Sequence, residues 1–316
     1  MDERVVYLNG EFVPESQAKI SVFDRGFQWG DAVYDTARSY GHKPFQVREH
    51  VERLYRSLHY TRMNVPLSLD EMEAVTLETF DRNKHLLGPN DDYYIWHTIS
   101  RGLNPPTRSI LDCKMPTILI CNWPVYFKGI AKFYNAGAHV VTPSVRRTPP
   151  MALDPRAKVA NKMNHILADY EAKLVDPDAY CLMLDIEGNI AESSGANFFF
   201  VSKGRLCTST ERNVLAGITR ENLMKLAREL GIPVVEENFT VYDVATGEEA
   251  FLSTTPHGII PVSRINGYHI GAGAVPGPIT DKLIKGFSDF VGVDIVAQAL
   301  SHLSPEAQQV PVPASA

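Results

Sequence analysis

Three short segments, far apart in the chain, contain residue types that together could act on a carbonyl compound. Lys158 follows a proline-rich loop, Glu192 begins a predicted strand, and residues Gly217 to Thr219 begin a predicted helix. A lysine amine can condense with an aldehyde, a carboxylate can keep a ring nitrogen protonated, and the N–H groups at a helix start bind phosphate. Pyridoxal phosphate needs these three groups, so the segments predict a site for that cofactor.

Each of these signals also has a simpler explanation when it is taken alone. Lys158 could be a solvated surface lysine, and Lys162, one helical turn later, competes with it as the anchor. Glu192 could be a solvent-facing residue at a strand end, with Glu187 as an equally acidic neighbour. A well-capped helix start is common in any fold. The combination of all three signals in one chain favours the cofactor site.

In order and spacing, residues 155–161 (PRAKVAN), 189–197 (NIAESSGAN) and 215–220 (LAGITR) resemble the fold type IV family of pyridoxal-phosphate enzymes. That family includes branched-chain aminotransferases, D-amino-acid aminotransferases, (R)-selective amine transaminases and aminodeoxychorismate lyases. The resemblance spans roughly residues 5–291. It implies an α+β (mixed α/β) fold with two domains, in which a small N-terminal α/β domain precedes a larger C-terminal domain with a barrel-like β core.

The resemblance also implies roles for individual residues. Lys158 would form the Schiff base with pyridoxal 5′-phosphate, and Glu192 would pair with the pyridine nitrogen. Paired arginines and prolines precede Lys158 as they do in the family, which favours it over Lys162. The other cofactor ligands that the resemblance implies are Arg53, Gly217, Ile218, Thr219 and Thr255. The substrate contacts that it implies are Trp29, Tyr34, Arg108 and Pro256.

Several positions depart from the pattern of the branched-chain aminotransferases. Those enzymes have a tyrosine five residues after the lysine, where this chain has Met163. They hold the substrate carboxylate with the amides of a Thr-Ala turn, whereas Thr255 is followed here by Pro256, which has no N–H to donate. An arginine expected near Trp96 is absent. These differences argue against a simple assignment to that branch.

Other residues are closer to the D-amino-acid and (R)-amine branches. Arg101 and Arg108 resemble loop arginines that pair with a carboxylate there, and Tyr34 also fits those branches better. However, Trp29 replaces their usual pocket residue, and the Arg-x-His carboxylate trap of D-amino-acid aminotransferases is absent. The substrate branch therefore stays open between a branched-chain-like and a D-amino-acid or (R)-amine-like enzyme.

The length and composition predict a globular protein with two domains. A chain of 316 residues, with 44% hydrophobic and 22% charged residues, is too long for one small core. The periodic patterns break after Cys121, which places the boundary there. We expect a small domain at 1–121, a linker at 122–130, a large cofactor-binding domain at 131–303 and a poorly ordered tail at 304–316.

Charge and cysteine content limit the partners. The net charge of −6 argues against nucleic acid or an anionic membrane surface as a partner. The chain has no apolar run of about 20 residues and no apolar signal core at its N-terminus. Four scattered cysteines suggest reduced thiols in the cytoplasm and no metal site. The family resemblance implies a homodimer.

Three functions are compatible with these observations. The first is a transaminase, a class IV enzyme that moves an amino group from an amino acid or amine donor to a 2-oxo acid or ketone acceptor. The second keeps the cofactor but is a lyase acting on an aminodeoxychorismate-type substrate. The third is a protein that binds the cofactor without catalysis. The three-part site favours the transaminase.

Local patterns predict some of the elements that hold these residues. The dipeptide Asn-Gly supplies the positive φ angles of a tight turn and predicts two hairpins, at Asn9-Gly10 and at Asn266-Gly267. The apolar run at 181–186 predicts a strand that leads towards Glu192.

Overall fold

The computed structural model describes residues 3–304 and divides into two compact units. The first unit comprises Met1–Val125 and the short segment Ala157–Lys162. The second comprises Tyr126–Arg156 and Met163–Ala316. Apart from Ser304, the tail that was predicted to be poorly ordered lies outside the described residues. The predicted fold class, a mixed α/β protein, is confirmed because each unit combines a sheet with helices.

The first unit contains six strands and three α-helices in its described part, besides short 3-10 turns. The strands are β1 (Val5–Leu8), β2 (Glu11–Pro14), β3 (Ala32–Tyr40), β4 (Lys43–Phe45), β5 (Tyr93–Ser100) and β6 (Thr117–Pro124). The helices are α1 (Arg25–Trp29), α2 (Val47–Tyr60) and α3 (Leu69–Asn83). The strands form one antiparallel sheet in the order β2-β1-β6-β5-β3-β4.

Successive side chains of the central strands point to opposite faces of this sheet, and one face is apolar. Val33 and Ala37 of β3 point to the same face as Ile95 and Ile99 of β5, and this face packs against α2 and α3. The predicted hairpin at Asn9 is confirmed, since β1 pairs with β2 across a turn in which Asn9 has a φ of 52°. The opposite face of β3 carries Tyr34, Thr36 and Arg38.

The second unit contains the other eight strands and seven helices of the described chain. The strands are β7 (Ala138–Val141), β8 (Tyr180–Cys181), β9 (Asn197–Ser202), β10 (Arg205–Thr208), β11 (Val234–Glu236), β12 (Glu249–Thr254), β13 (Gly258–Ile265) and β14 (Tyr268–His269). The helices are α4 (Lys128–Ala131), α5 (Phe133–Ala136), α6 (Met163–Val175), α7 (Ile218–Glu229), α8 (Val241–Ala245), α9 (Pro278–Val291) and α10 (Ile295–Leu300).

These eight strands form one mixed sheet in the order β11-β10-β9-β12-β13-β7-β8, with β14 paired to β13. The second predicted hairpin is confirmed, because β13 and β14 pair across Asn266 and Gly267, both of which have positive φ angles. Helices α7 and α9 pack against β12. Among the described residues, the sheet pairings do not include one that would close a barrel. No helix in the described part of the chain is long and apolar enough to cross a membrane.

The strand predicted at 181–186 is wrong beyond Cys181, where β8 ends. The chain instead forms an irregular hairpin, in which Asp185 N donates to Asn189 O and Met183 N donates to Glu192 O. The Asp185 carboxylate accepts the backbone N–H groups of Glu187 and Asn189, so a side chain stabilises the turn in place of a regular ladder. This turn brings Glu192 opposite Met183.

The core of the first unit also contains a titratable group. His97 on β5 is fully buried, and its Nε2 lies 2.8 Å from Thr76 Oγ1. Because the Thr76 hydroxyl donates to Met72 O, Nε2 is assigned as the donor to Thr76. Burial lowers the pKa of His97 to about 4, although the nearby Asp35 carboxylate acts in the opposite direction. The fold therefore holds this ring in its neutral form.

We predict that His97 makes the fold sensitive to acid. Its pKa is about 4 in the folded chain and about 6.5 in an unfolded one, so only the unfolded chain binds the proton between these values. The free energy of unfolding should fall by up to about 3 kcal/mol as the pH falls through this window. His97→Gln keeps a donor for Thr76 but cannot titrate, so the free energy of unfolding of this variant should change little with pH. Urea denaturation at about pH 7 and about pH 5 measures the change.

The exposed His85 offers a matched control for this prediction, and His85→Gln should leave the pH profile as it is in the unchanged chain. An equally steep profile in His97→Gln would show that other groups cause the acid sensitivity.

Candidate active site

The segment that contains Lys158 lies along the first half of β3. Tyr34 N donates to Lys158 O at 3.0 Å, and Ala160 N donates to Ala32 O at 2.8 Å. These two bonds make the segment a short antiparallel partner of the strand. Lys158 is thus held by backbone hydrogen bonds within the first unit, while its competitor Lys162 is the last residue of the same segment.

The side chain of Lys158 lies over an aromatic surface. Its Nζ is 4.3 Å from the centroid of the Tyr34 ring, which is within the range of a cation–π contact. Tyr34 stacks on Trp96 with the ring centroids 5.0 Å apart, and Trp96 Nε1 donates to Thr98 Oγ1. Of the predicted substrate contacts, Tyr34 is therefore the one that lies beside the lysine within the first unit.

Arg53 lies on α2 and is 4% exposed. Its Nε and Nη2 donate to the two carboxylate oxygens of Asp35, each at 2.8 Å, and His50 Nδ1 lies 2.8 Å from Asp35 Oδ1. Burial alone would raise the pKa of Asp35, but the charge of Arg53 and the hydrogen bonds from His50 and Arg53 hold it well below its usual range. Burial lowers the pKa of His50, against the effect of Asp35. The guanidinium orientation is thus set by a buried carboxylate.

Glu192 is buried in the second unit, and both of its oxygens are hydrogen-bonded. Oε1 accepts from Arg147 Nε at 2.9 Å. Oε2 accepts from Leu215 N at 2.9 Å and from Asn197 Nδ2 at 3.3 Å. Its acidic neighbour Glu187 is exposed. Four lone-pair sites are available on a carboxylate and three are used, so Glu192 can accept one more donor.

Helix α7 begins directly beside this carboxylate. Gly217 is its N-cap residue, and no side chain in the described part of the chain caps it. A Cβ atom on Gly217 would lie 2.1 Å from Asn197 Oδ1, so a larger residue there would displace the Asn197 amide. Ile218 and Thr219, which follow, are buried. A buried helix start without a capping side chain is suited to an anion, so the residues present fit the phosphate of the implied cofactor.

Thr255 follows β12 and is half-buried, as is Pro256. The preceding Thr254 donates its hydroxyl to Gly195 O at 3.0 Å. Gly195 belongs to the same loop as Glu192, so this hydrogen bond ties the end of β12 to the segment that carries the carboxylate. The structure therefore brings together the predicted cofactor ligands of the second unit.

The two remaining substrate contacts are on the surface of the first unit. Trp29, at the end of α1, is 64% exposed. Arg108 is exposed in the loop before β6 and has no side-chain hydrogen bond or ion pair among the described residues. Arg101 is different, because it pairs with Asp31 and donates to the carbonyl of Thr61 at the end of α2. The Arg101 guanidinium is thus engaged by residues of the first unit, whereas that of Arg108 is available to bind another group.

Sequence reasoning did not identify the residues that hold these groups in place. Arg147 belongs to the paired arginines that precede Lys158 in the sequence, but in the structure it pairs with Glu192. Asn197 is the last residue of the motif NIAESSGAN, and its amide links the carboxylate to Leu215. Asp35 had no signal of its own, because a carboxylate in a strand has many possible partners.

A family model described as "Amino-transferase class IV" matches residues 32–265. A putative branched-chain-amino-acid aminotransferase of Methanocaldococcus jannaschii is 38% identical over 285 residues, covering 90% of this chain and 95% of that protein. A D-alanine aminotransferase of Listeria monocytogenes is 29% identical over 301 residues, covering 94% and 98%.

Solved structures agree with these relatives. A branched-chain amino acid aminotransferase from T.th., solved with pyridoxamine 5′-phosphate, superimposes with a TM-score of 0.82 and 28% identity, covering 92% of this chain and 95% of that one. The branched-chain amino acid aminotransferase of Escherichia coli gives a TM-score of 0.82 and 28% identity, with coverage of 92% and 94%.

Proposed function

Because the chain belongs to the class IV aminotransferase family and its cofactor is pyridoxal 5′-phosphate, we propose that Lys158 is the covalent anchor of that cofactor in a transamination. The amino group would move from an amino acid or amine donor to a 2-oxo acid or ketone acceptor. The observation that carries the proposal is the backbone pairing of the Lys158 segment with β3, which directs the amine over the Tyr34 ring.

When bound, the cofactor supplies an aldehyde that condenses with amines and a ring that withdraws electrons from the donor Cα. In this proposal Glu192 holds the ring nitrogen protonated, which its remaining accepting site and its burial support. Arg147 and Asn197 keep the carboxylate in place. The proposed phosphate ligands are the Ile218 N–H, Thr219, Thr255 and the Arg53 guanidinium. Gly217 would let the backbone at the start of α7 come close to the phosphate.

Lys158 has a second role in this proposal. After a donor amine had replaced it, its Nζ would take the proton from the donor Cα and return it at the cofactor carbon that receives the amino group. The Tyr34 ring, which stacks on Trp96, covers one side of Nζ. The same surface offers no charge to a substrate, which supports donors with an apolar group on the side that faces it.

A homodimer is part of the proposal. Helix α6 packs His165, Ala168 and Ala172 into the second unit, whereas the opposite side of the helix is an apolar stripe. The residues of this stripe are between 49% and 72% exposed, and they are Met163, Ile166, Leu167, Tyr170 and Leu174. Apolar side chains at this helical spacing that remain in water support a second copy of the chain as the partner.

We predict that Lys158 carries the cofactor. After reduction of the cofactor-loaded chain with borohydride and proteolysis, the phosphopyridoxyl label should be found on the peptide that contains Lys158. Lys158→Ala should lose the label and lower transamination turnover by roughly a thousand-fold. Lys162→Ala is the matched control and should keep both the label and the transamination turnover. A label on Lys162 would instead identify that residue as the anchor.

We predict that Arg108 binds the carboxylate of the acceptor. Arg108→Gln should raise the KM for 2-oxo acids roughly ten-fold, the effect of losing one hydrogen bond to a charged group, and should change the KM for plain ketones little. The exposed Arg56 on α2 provides the control Arg56→Gln, for which neither KM should change. Equal effects of Arg108→Gln on both acceptor classes would exclude the carboxylate role.

We predict that the stripe on α6 holds the dimer together. The double variant Ile166→Glu, Tyr170→Glu places two charges on the stripe and should sediment as a monomer where the unchanged chain sediments as a dimer. Tyr242→Glu adds a charge at a residue of α8 that is 75% exposed, and it should leave the mass unchanged. A monomeric unchanged chain, or a double variant that stays dimeric, would contradict the proposal.

A further inference from the structure

A buried serine lies between the backbones of two residues to which the proposed function gives roles. Ser57 is on α2, one turn after Arg53, and is 1% exposed. Its hydroxyl donates to Arg53 O at 3.1 Å and accepts from Lys158 N at 3.0 Å. The first of these bonds is the usual contact of a helical serine with the carbonyl four residues earlier. The second joins the helix to the lysine itself.

The hydrogen bonds of the lysine segment come from two elements. Strand β3 binds Lys158 O and Ala160 N, and Val33 is bridged to Val159. Ser57 of α2 binds Lys158 N. An antiparallel pairing fixes the position of a segment along a strand, but a pairing of only three residues leaves it free to twist about that edge. The bond to Ser57 opposes this twist at the lysine.

We propose that Ser57 is a positioning residue that orients Lys158 for attack on the cofactor aldehyde, which rests on the proposed role of Lys158. In that step the lysine amine adds to the aldehyde carbon, a carbon–nitrogen double bond forms, and the carbonyl oxygen leaves as water. The direction of Nζ depends on the orientation of its backbone, because the Cα–Cβ bond turns with the peptide. Ser57 acts through this peptide and does not touch the cofactor's reacting atoms.

Removal of the hydroxyl has a definite consequence for Lys158. In Ser57→Ala the amide of Lys158 would lose this acceptor, and the segment would turn so that the N–H reaches water. Condensation with the aldehyde requires the original orientation, so the cost of restoring it appears in the covalent step. We expect this to weaken the covalent part of cofactor binding roughly ten-fold.

A pair of ligands separates the covalent part from the rest of binding. Pyridoxal 5′-phosphate can condense with lysine, whereas 4-deoxypyridoxine 5′-phosphate has the same ring and phosphate but no aldehyde. The dissociation constant of the deoxy compound divided by that of pyridoxal 5′-phosphate, both measured by titration of the cofactor-free chain, reports the contribution of the lysine. Ser57→Ala should lower this ratio roughly ten-fold and leave the affinity for the deoxy compound unchanged.

The controls use residues of the same unit. Thr79 on α3 is also buried and donates to the carbonyl four residues earlier, so Thr79→Ala matches the loss of packing and should keep the ratio. Ser57→Thr keeps a hydroxyl, so its ratio of dissociation constants should be close to that of the unchanged chain. Lys158→Ala should abolish the difference between the two ligands.

The outcomes distinguish the two proposals. If Lys158→Ala abolishes the difference but Ser57→Ala leaves the ratio unchanged, Ser57 does not position the lysine and the anchor stands. Equal weakening of both ligands in Ser57→Ala also overturns the inference, because it shows a general effect on the fold. If Lys158→Ala keeps the ratio of the unchanged chain, the proposed anchor is wrong and the inference about Ser57 falls with it.

Discussion

The pairing of the segment Ala157–Lys162 with β3 is the interaction on which the candidate site depends. Backbone bonds to Tyr34 and Ala32 hold this segment in the first unit, although the chain on both sides of it belongs to the second. Backbone hydrogen bonds are directional, so they determine where the lysine amine can reach. Ser57 adds a side-chain bond to the Lys158 amide. An amine on an unsupported loop would have to be ordered again in each reaction cycle.

Two buried ion pairs, one in each unit, serve the same purpose of orientation. Asp35 holds Arg53, and Arg147 holds Glu192. Removing charges from water is costly, and apolar residues of similar volume often replace such pairs without loss of stability. Orientation of a guanidinium fork and of a carboxylate explains these pairs better than a contribution to the free energy of folding. In each pair one member is a proposed cofactor ligand and the other is its support.

The cofactor and the substrate are specified by different kinds of residues. Two of the proposed cofactor ligands, Glu192 and Arg53, are buried and hydrogen-bonded in the structure. The proposed substrate contacts Trp29 and Arg108 are exposed and belong to a short helix and a loop. Such positions can change without disturbing a core. This agrees with the comparison, in which similar relatives bear the names of branched-chain and of D-alanine aminotransferases.

The sequence alone determined the family, the cofactor and the Asn-Gly hairpins, because these depend on local motifs and on the order of a few residue types. It did not predict the irregular hairpin before Glu192, where the Asp185 side chain replaces a strand ladder. Only the tertiary structure decided that Ser57 meets the amide of Lys158, 101 positions away. Hydrogen bonds between distant segments leave no periodic pattern, since either partner would look the same in any other surroundings.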